Sequence, residues 1–263
     1  MINPKKSLGQ NFLIDNNIID KIIKLSDVEN NNIVEIGPGT GNLTKKIIDS
    51  NPKSLILIEK DHKLANYLKK EFGSLKNLKI FNEDVLKFHF EDRINSDSII
   101  IGNLPYNISS QILAKLIKLK KWLPKYKRLV LMFQKEVADK ILAKSKSSSF
   151  GRLTVLTKAR LKIVDHFNIS ENCFYPVPKI KSTVLVFEPI INKDFKIKDI
   201  SNLEKITHVF FSKKRKMINK AFKTLFKDPL LIAEKLQIDL NLRPNKITEK
   251  EYFKITEYFE KEI

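Results

Sequence analysis

Cysteine is nearly absent from this chain: Cys173 stands alone among 263 residues. That excludes an internal disulfide framework and points to a reducing, cytoplasmic setting. Histidine is scarce as well. His62, His89, His166 and His208 lie far apart, and none has a Cys or His partner at zinc spacing, so no metal is expected. No apolar run approaches the roughly 18–20 residues that span a bilayer. The first six residues lack the apolar segment of a secretory signal, and no membrane partner is expected. Acidic residues are outnumbered: 30 Asp and Glu against 49 Lys and Arg leave a formal net charge of +19. Such an imbalance suits a polyanionic partner, with nucleic acid as the default. The chain is rich in Lys, Asn and Ile throughout, so compositional bias competes with binding as the source of that charge.

What is present is an alternation of strands and helices. Residues 1–12 read as a loose basic arm, and a helix follows from Asp15, a good N-cap. Apolar runs at 32–36, 54–59, 78–81, 98–103 and 128–133 read as strands, with helical patterns between them. This implies an α/β domain with a parallel sheet covered by helices on both faces. The Lys144–Ser149 tract reads as a flexible loop. Two late strands follow, over 161–167 and 183–187, and Glu188-Pro189 marks a boundary. The expected division is a first domain over 1–190 and a small, basic, helical second domain over 191–263.

Two motifs carry chemistry. The first is Asn103-Leu104-Pro105-Tyr106 at the carboxyl end of a buried strand. The Asn103 amide oxygen and the Leu104 carbonyl can each accept one N–H of a planar amine, the Pro105 ring fixes the turn, and Tyr106 can stack on the flat molecule. The second is Glu35-Ile36-Gly37-Pro38-Gly39-Thr40-Gly41, a glycine loop between a strand and a helix. Its spacing misses the dinucleotide pattern by one residue, and it lacks the Lys of a phosphate loop. An adenosyl ligand without phosphates fits better, namely S-adenosylmethionine. Glu59, ending the next strand, can accept from two ribose hydroxyls; Asp84, ending the third, from an adenine amine. Glu35 suits a cationic ligand.

These motifs, with Leu8–Leu13, Gly102–Ser110, Gly151-Arg152-Leu153 and Phe174-Tyr175-Pro176-Val177-Pro178-Lys179, run in the order found in one family. The chain resembles the KsgA-type ribosomal RNA small-subunit adenine dimethyltransferases over residues 7 to 188. The resemblance implies a Rossmann-like S-adenosylmethionine-dependent methyltransferase domain with a small C-terminal α-helical domain. It implies dimethylation of the 6-amino groups of two adjacent adenosines near the 3′ end of 16S rRNA, in the assembling small ribosomal subunit. The implied cofactor contacts are Asn11, Leu13, Gly37, Gly39, Glu59, Asp84 and Asn103.

The catalytic set is Asn103, Leu104, Pro105, Tyr106 and Phe174, with Tyr106 and Phe174 read as two faces of an aromatic sandwich around a flipped base. Residues 10–13 read as a lid over cofactor and target. RNA contacts are expected from Phe12, Lys179 and the run Lys213-Lys214-Arg215-Lys216 at the edge of an amphipathic helix. A monomer is expected. Gln111 stands where the family commonly has Pro, and Lys181 where it commonly has Asp. Three other readings compete: an Erm-type dimethyltransferase of 23S rRNA, an amide methyltransferase acting on a protein Gln, and a non-catalytic RNA-binding factor that retains the fold.

Overall fold

A computed structural model describes residues 10–192 and 194–262. Most of the expected basic arm, and the Leu8-Gly9 part of the Leu8–Leu13 stretch, lie outside the described residues. The chain forms two compact units.

The first unit takes the chain as far as Ala138. It runs β1 (Phe12–Leu13), α1 (Asn16–Ser26), β2 (Asn32–Ile36), α2 (Asn42–Asp49), β3 (Ser54–Ile58) and α3 (His62–Phe72). β4 (Leu78–Phe81), the single turn α4 (Phe90–Arg93), β5 (Ser98–Asn103), α5 (Ser109–Ile117) and β6 (Tyr126–Gln134) follow. The chain leaves this unit within α6 (Lys135–Leu142), forms α7 (Arg152–Arg160), and returns at Ile163 within β7 (Leu161–Ile169). β8 (Phe174–Tyr175) and β9 (Ser182–Pro189) complete it.

Seven strands form one sheet in the order β4-β3-β2-β5-β6-β9-β7. Strands β4 to β6 are parallel, and β9 lies antiparallel on β6. Strands covered on both faces must be apolar throughout, which is why β3 and β5 read as unbroken runs. Ile33, Leu55, Leu57, Ile99, Ile101 and Val130 share a core with Ile19 and Ile22 of α1 and Leu43 and Ile47 of α2. Asp15 caps α1 by accepting the Ile18 N–H at 3.0 Å, as its sequence position suggests.

The strand order reverses between β2 and β5. Ligands of open α/β sheets bind in the crevice outside the carboxyl ends of the strands at such a point. The glycine loop leaves β2 there, and the Asn103–Tyr106 turn leaves β5 beside it. Gly102 lets these two come together: a Cβ there would sit 2.8 Å from Leu104 Cδ2 and 3.1 Å from the Ile36 carbonyl.

The second unit comprises Asp139–Lys162 and the chain from Ile190 onward. Its later helices are α8 (Ile200–Phe211), α9 (Asn219–Leu225), α10 (Pro229–Leu236) and α11 (Glu249–Glu262). Buried rings hold it together: Phe210 meets Phe222 and Tyr252 edge-on, and Phe211 stacks on Tyr252 at 5.6 Å. Glu260 of α11 accepts the backbone N–H groups of Lys198 and Asp199 at 2.7 and 2.9 Å, satisfying donors at the start of α8.

Two expectations need correction. The division is not a single cut near 190, because residues 139–162 group with the later helices. Lys158 of α7 pairs with Glu249 of α11 at 2.9 Å, and Phe150 is buried with its ring 6.2 Å from that of Phe211. The Lys144–Ser149 tract is not a free loop. Lys146 N–H donates to the Asn245 carbonyl at 2.8 Å, and Asn245 Nδ2 donates to Ser147 O at 3.2 Å.

Gly102→Ala should lower stability by about 1–3 kcal/mol, the usual cost of overpacking. Chemical denaturation of the variant against the parent checks this; an unchanged midpoint would mean the close approach at Gly102 is not needed.

Candidate active site

An open cleft of about 1120 Å³, counting its mouth, lies at the switch point. Its walls come from residues 10–13, the glycine loop, the ends of β3 and β4, and the Asn103–Ile108 turn. Asn11, Leu13, Gly37, Gly39, Glu59, Asp84, Asn103, Leu104, Pro105, Tyr106 and Phe12 all line it, so sites spread over 96 positions of sequence meet in one place.

Asn103 is oriented by one bond. Its Nδ2 donates to the Asn11 carbonyl at 2.8 Å. A carbonyl cannot donate, so the amide nitrogen faces Asn11 and the acceptor oxygen Oδ1 is turned away from it. The turn after it is closed by Ile108 N–H donating to the Pro105 carbonyl at 3.1 Å. Leu104 is buried, which fixes the backbone that carries its carbonyl. Tyr106 is half-buried, and its hydroxyl shares a 2.6 Å hydrogen bond with Ser182 Oγ. Burial pushes the Tyr106 hydroxyl up, against a smaller downward pull from Ser182, so the ring is a neutral phenol at physiological pH.

The glycine loop turns through positive φ at Gly37, Gly39 and Gly41 (68°, 59° and 82°), a region that other residues enter at a cost. At Gly39 space is decisive too: a Cβ would lie 2.8 Å from the Phe12 ring. Phe12 therefore rests directly on the loop.

The cleft is acidic within a basic protein. Glu35, Glu59, Glu83 and Asp84 line it, and the cation among its lining residues, Lys60, is paired with Asp84 at 2.8 Å. That lysine holds the Asp84 carboxyl below the usual range, helped by the Leu86 N–H bond, so Asp84 stays an ionised acceptor. Glu59 accepts the Gly39 and Asp61 N–H groups at 3.2 and 2.7 Å, yet burial raises its carboxyl overall. Glu35 is only 2% exposed and accepts the Thr44 hydroxyl at 2.7 Å. Desolvation drives its carboxyl up to about 8, against the Thr44 bond and with the nearby Glu59 charge adding to the rise. Carboxylates without a free cation suit an adenosyl ligand bearing positive charge, and offer nothing to a pyrophosphate.

Other expected site residues are placed differently. Phe174 is 1% exposed and belongs to the core shared with Leu13 and Val184, and it is not among the residues lining the cleft. Its face is spent on packing, so it does not stand open opposite Tyr106. Alternation along β8 puts Phe174 inward and its neighbour Tyr175 outward. The run Lys213–Lys216 lies in an exposed turn after α8 rather than on a helix, and Lys214 Nζ donates to the Ser148 carbonyl. Lys179 is exposed. The sequence reading missed Ser182, Thr44 and the small β1–β8 sheet, in which Phe12 pairs with Tyr175 and Leu13 with Phe174. A two-residue strand has no periodicity to detect, and neither hydroxyl sits in a distinctive motif.

Among the described residues, no group of three His, Cys, Asp or Glu side chains is placed to hold a metal ion. Nor is any helix among them long and apolar enough to cross a membrane.

The family model described as ribosomal RNA adenine dimethylase matches residues 1–261. The chain belongs to that family. Among curated adenine dimethylase relatives, ribosomal RNA small subunit methyltransferase A of Pelagibacter ubique is 45% identical, over 98% of each chain. The protein of the same name from Malacoplasma penetrans is 40% identical, over 95% of this chain and 90% of its own. Among solved structures, a dimethyladenosine transferase from Plasmodium falciparum superposes with a TM-score of 0.79 at 28% identity, covering 95% of this chain and 98% of the other. The 23S rRNA methyltransferase ErmE, at 19% identity, shares the fold with a TM-score of 0.69 over 95% of this chain and all of its own. The fold is the Rossmann-like one of S-adenosylmethionine-dependent methyltransferases.

Glu35 makes the stability of this dimethylase depend on pH. Below about 4.5 its carboxyl is protonated folded or unfolded, and burial costs nothing electrostatic. As pH rises toward about 8, only the unfolded chain ionises, so stability falls by roughly 1 kcal/mol per pH unit. Glu35→Gln should flatten that decline between pH 5 and 8, leaving the smaller same-signed effect of Glu59. Urea midpoints of both proteins across that range test it; parallel curves would show that Glu35 ionises normally.

Proposed function

We propose that this chain dimethylates the 6-amino groups of two adjacent adenosines near the 3′ end of 16S rRNA, acting as a monomer on the assembling small subunit in the cytoplasm. The observation that carries the reading is the fixed orientation of the Asn103 amide at the mouth of an acidic, glycine-walled cleft. Family membership supports it, and the names of the curated relatives favour the small subunit over the large one.

S-adenosylmethionine would supply an activated methyl group on a cationic sulfur. Asn11, Leu13, Gly37, Gly39, Glu59, Asp84 and Asn103 are the residues to hold it, with the ionised Asp84 offering negative charge. An adenine amine is a poor nucleophile because its lone pair is delocalised into the ring. Asn103 Oδ1 and the Leu104 carbonyl each accept one N–H, which holds the nitrogen with its lone pair out of the ring plane. Tyr106, anchored through Ser182, stacks on one face of the flipped base. Positioning is thus the main catalytic term. The methylated amine is strongly acidic and loses its proton to solvent, so no dedicated base is needed. Lys179 contacts RNA near the cleft, whereas Phe12 is buried against Gly39 and shapes the cleft wall, and the exposed Lys213–Lys216 turn of the second unit neutralises phosphates.

Under-methylated small subunits incubated with labelled S-adenosylmethionine should gain dimethyladenosine at two neighbouring positions. Modification confined to 23S rRNA, or none, would overturn the assignment. Asn103→Ala should lower methylation at least 100-fold while leaving RNA affinity within about 2-fold, because it removes a positioning acceptor rather than a phosphate contact. Filter binding beside the methylation assay separates the two effects; undiminished methylation would refute the clamp.

A further inference from the structure

The segment joining β8 to β9 is tied to the cleft at both ends. At one end Tyr175 pairs with Phe12, whose ring rests on Gly39. At the other, Ser182 holds the Tyr106 hydroxyl. Both Phe12 and Tyr106 line the cleft. Between these anchors the chain exposes what a folded protein usually covers. Tyr175 is 59% exposed and Val177 58%, with Ile180 at 44%. Lys179 and Lys181 are exposed among them. The buried Phe174 next door shows that the exposure belongs to the alternation of the strand and not to loose packing.

An exposed aromatic ring flanked by apolar side chains and lysines is the surface that single-stranded nucleic acid recognises. Bases stack on the ring, and the phosphates meet the cations. An apolar protein partner would not explain the two lysines, whereas a nucleotide uses both kinds of group.

We infer that the 175–181 segment holds the nucleotide beside the target base, with Tyr175 stacking on that neighbour while the Asn103 clamp holds the adenine being methylated. The inference rests on the proposed reading that the substrate is ribosomal RNA. It gives the enzyme a place for the second adenosine while the first is in the cleft. Tyr175 is here a specificity residue that touches substrate away from the reacting atoms. Lys179 and Lys181 neutralise the phosphates on either side of it.

The test uses the full chain and a short single-stranded RNA carrying the target adenine, with 2-aminopurine placed next to it on the 5′ side in one arm and the 3′ side in the other. At protein concentrations where anisotropy shows the RNA bound, wild type should quench the 2-aminopurine in one arm. Tyr175→Phe should retain the quench, and Tyr175→Ala should lose it and weaken binding roughly 10-fold, as expected for one lost stacking contact. On under-methylated small subunits, Tyr175→Ala should raise KM far more than it lowers kcat, and Tyr175→Phe should restore KM. Quenching that is equal in wild type and Tyr175→Ala, absent in both arms, or accompanied by no RNA binding at low salt would overturn the inference. If wild type still methylates the small subunit in that case, the proposed function stands without it; if wild type methylates no ribosomal adenine, both fall. Because Tyr175 is exposed, thermal unfolding of both variants should match the parent, and the Phe variant separates stacking from any loss of fold.

Discussion

The hydrogen bond from Asn103 Nδ2 to the Asn11 carbonyl spans 92 residues of sequence and decides which end of an amide faces the cleft. Reversed, Asn103 would present two donors to an amine that itself only donates. The bond needs residues 10–13 in place, and these are held by their own partners: Leu13 and Phe12 pair with β8, and the Leu13 carbonyl accepts from Asn42 Nδ2 at 2.8 Å. Asn42 opens α2, directly after the glycine loop. One strand of two residues thus ties together the lid, the loop and the clamp. The geometry of each depends on the other two.

The electrostatics divide along similar lines. The protein as a whole is strongly cationic, yet its cleft gathers four carboxyl groups. Two of them are buried beneath the glycine loop and pushed toward neutrality, while the third, Asp84, is kept ionised by Lys60. Burial and pairing thus sort chemically similar side chains into different protonation states within one cavity. A basic protein thus carries a cleft in which Asp84 keeps its negative charge beside two carboxyl groups held nearer to neutrality.

Much of this was legible beforehand, and for identifiable reasons. The strands at 32–36, 54–58 and 98–103 announce themselves because both faces are covered and their interiors are largely apolar. Gly37, Gly39 and Glu59 could be located because they come at the ends of the first two of those strands, and Asp84 because it lies just past β4. The segment over 139–162 was not legible. In α7, Thr154, Val155, Leu156, Thr157 and Ala159 are all buried, so no apolar stripe alternates with a polar one. Phe174 was misread because strand alternation over two residues cannot say which ring faces inward. The Lys213–Lys216 run was taken for a helix edge because nothing in four cations marks the end of α8 at Phe211.

The interrupted second unit has a consequence for how the chain is made. α7 ends at Arg160, but α11, which supplies the Glu249 partner of Lys158, begins about 90 residues later. At roughly 5–20 residues per second of synthesis, α7 waits on the order of 5–20 s for its partner. β9, by contrast, emerges soon after α7, so the last strands of the sheet are available while most of the helical unit is still unmade. The methyltransferase sheet can therefore close around a nascent chain whose helical unit remains open, with Phe150 and the buried face of α7 exposed to the cell in the interval.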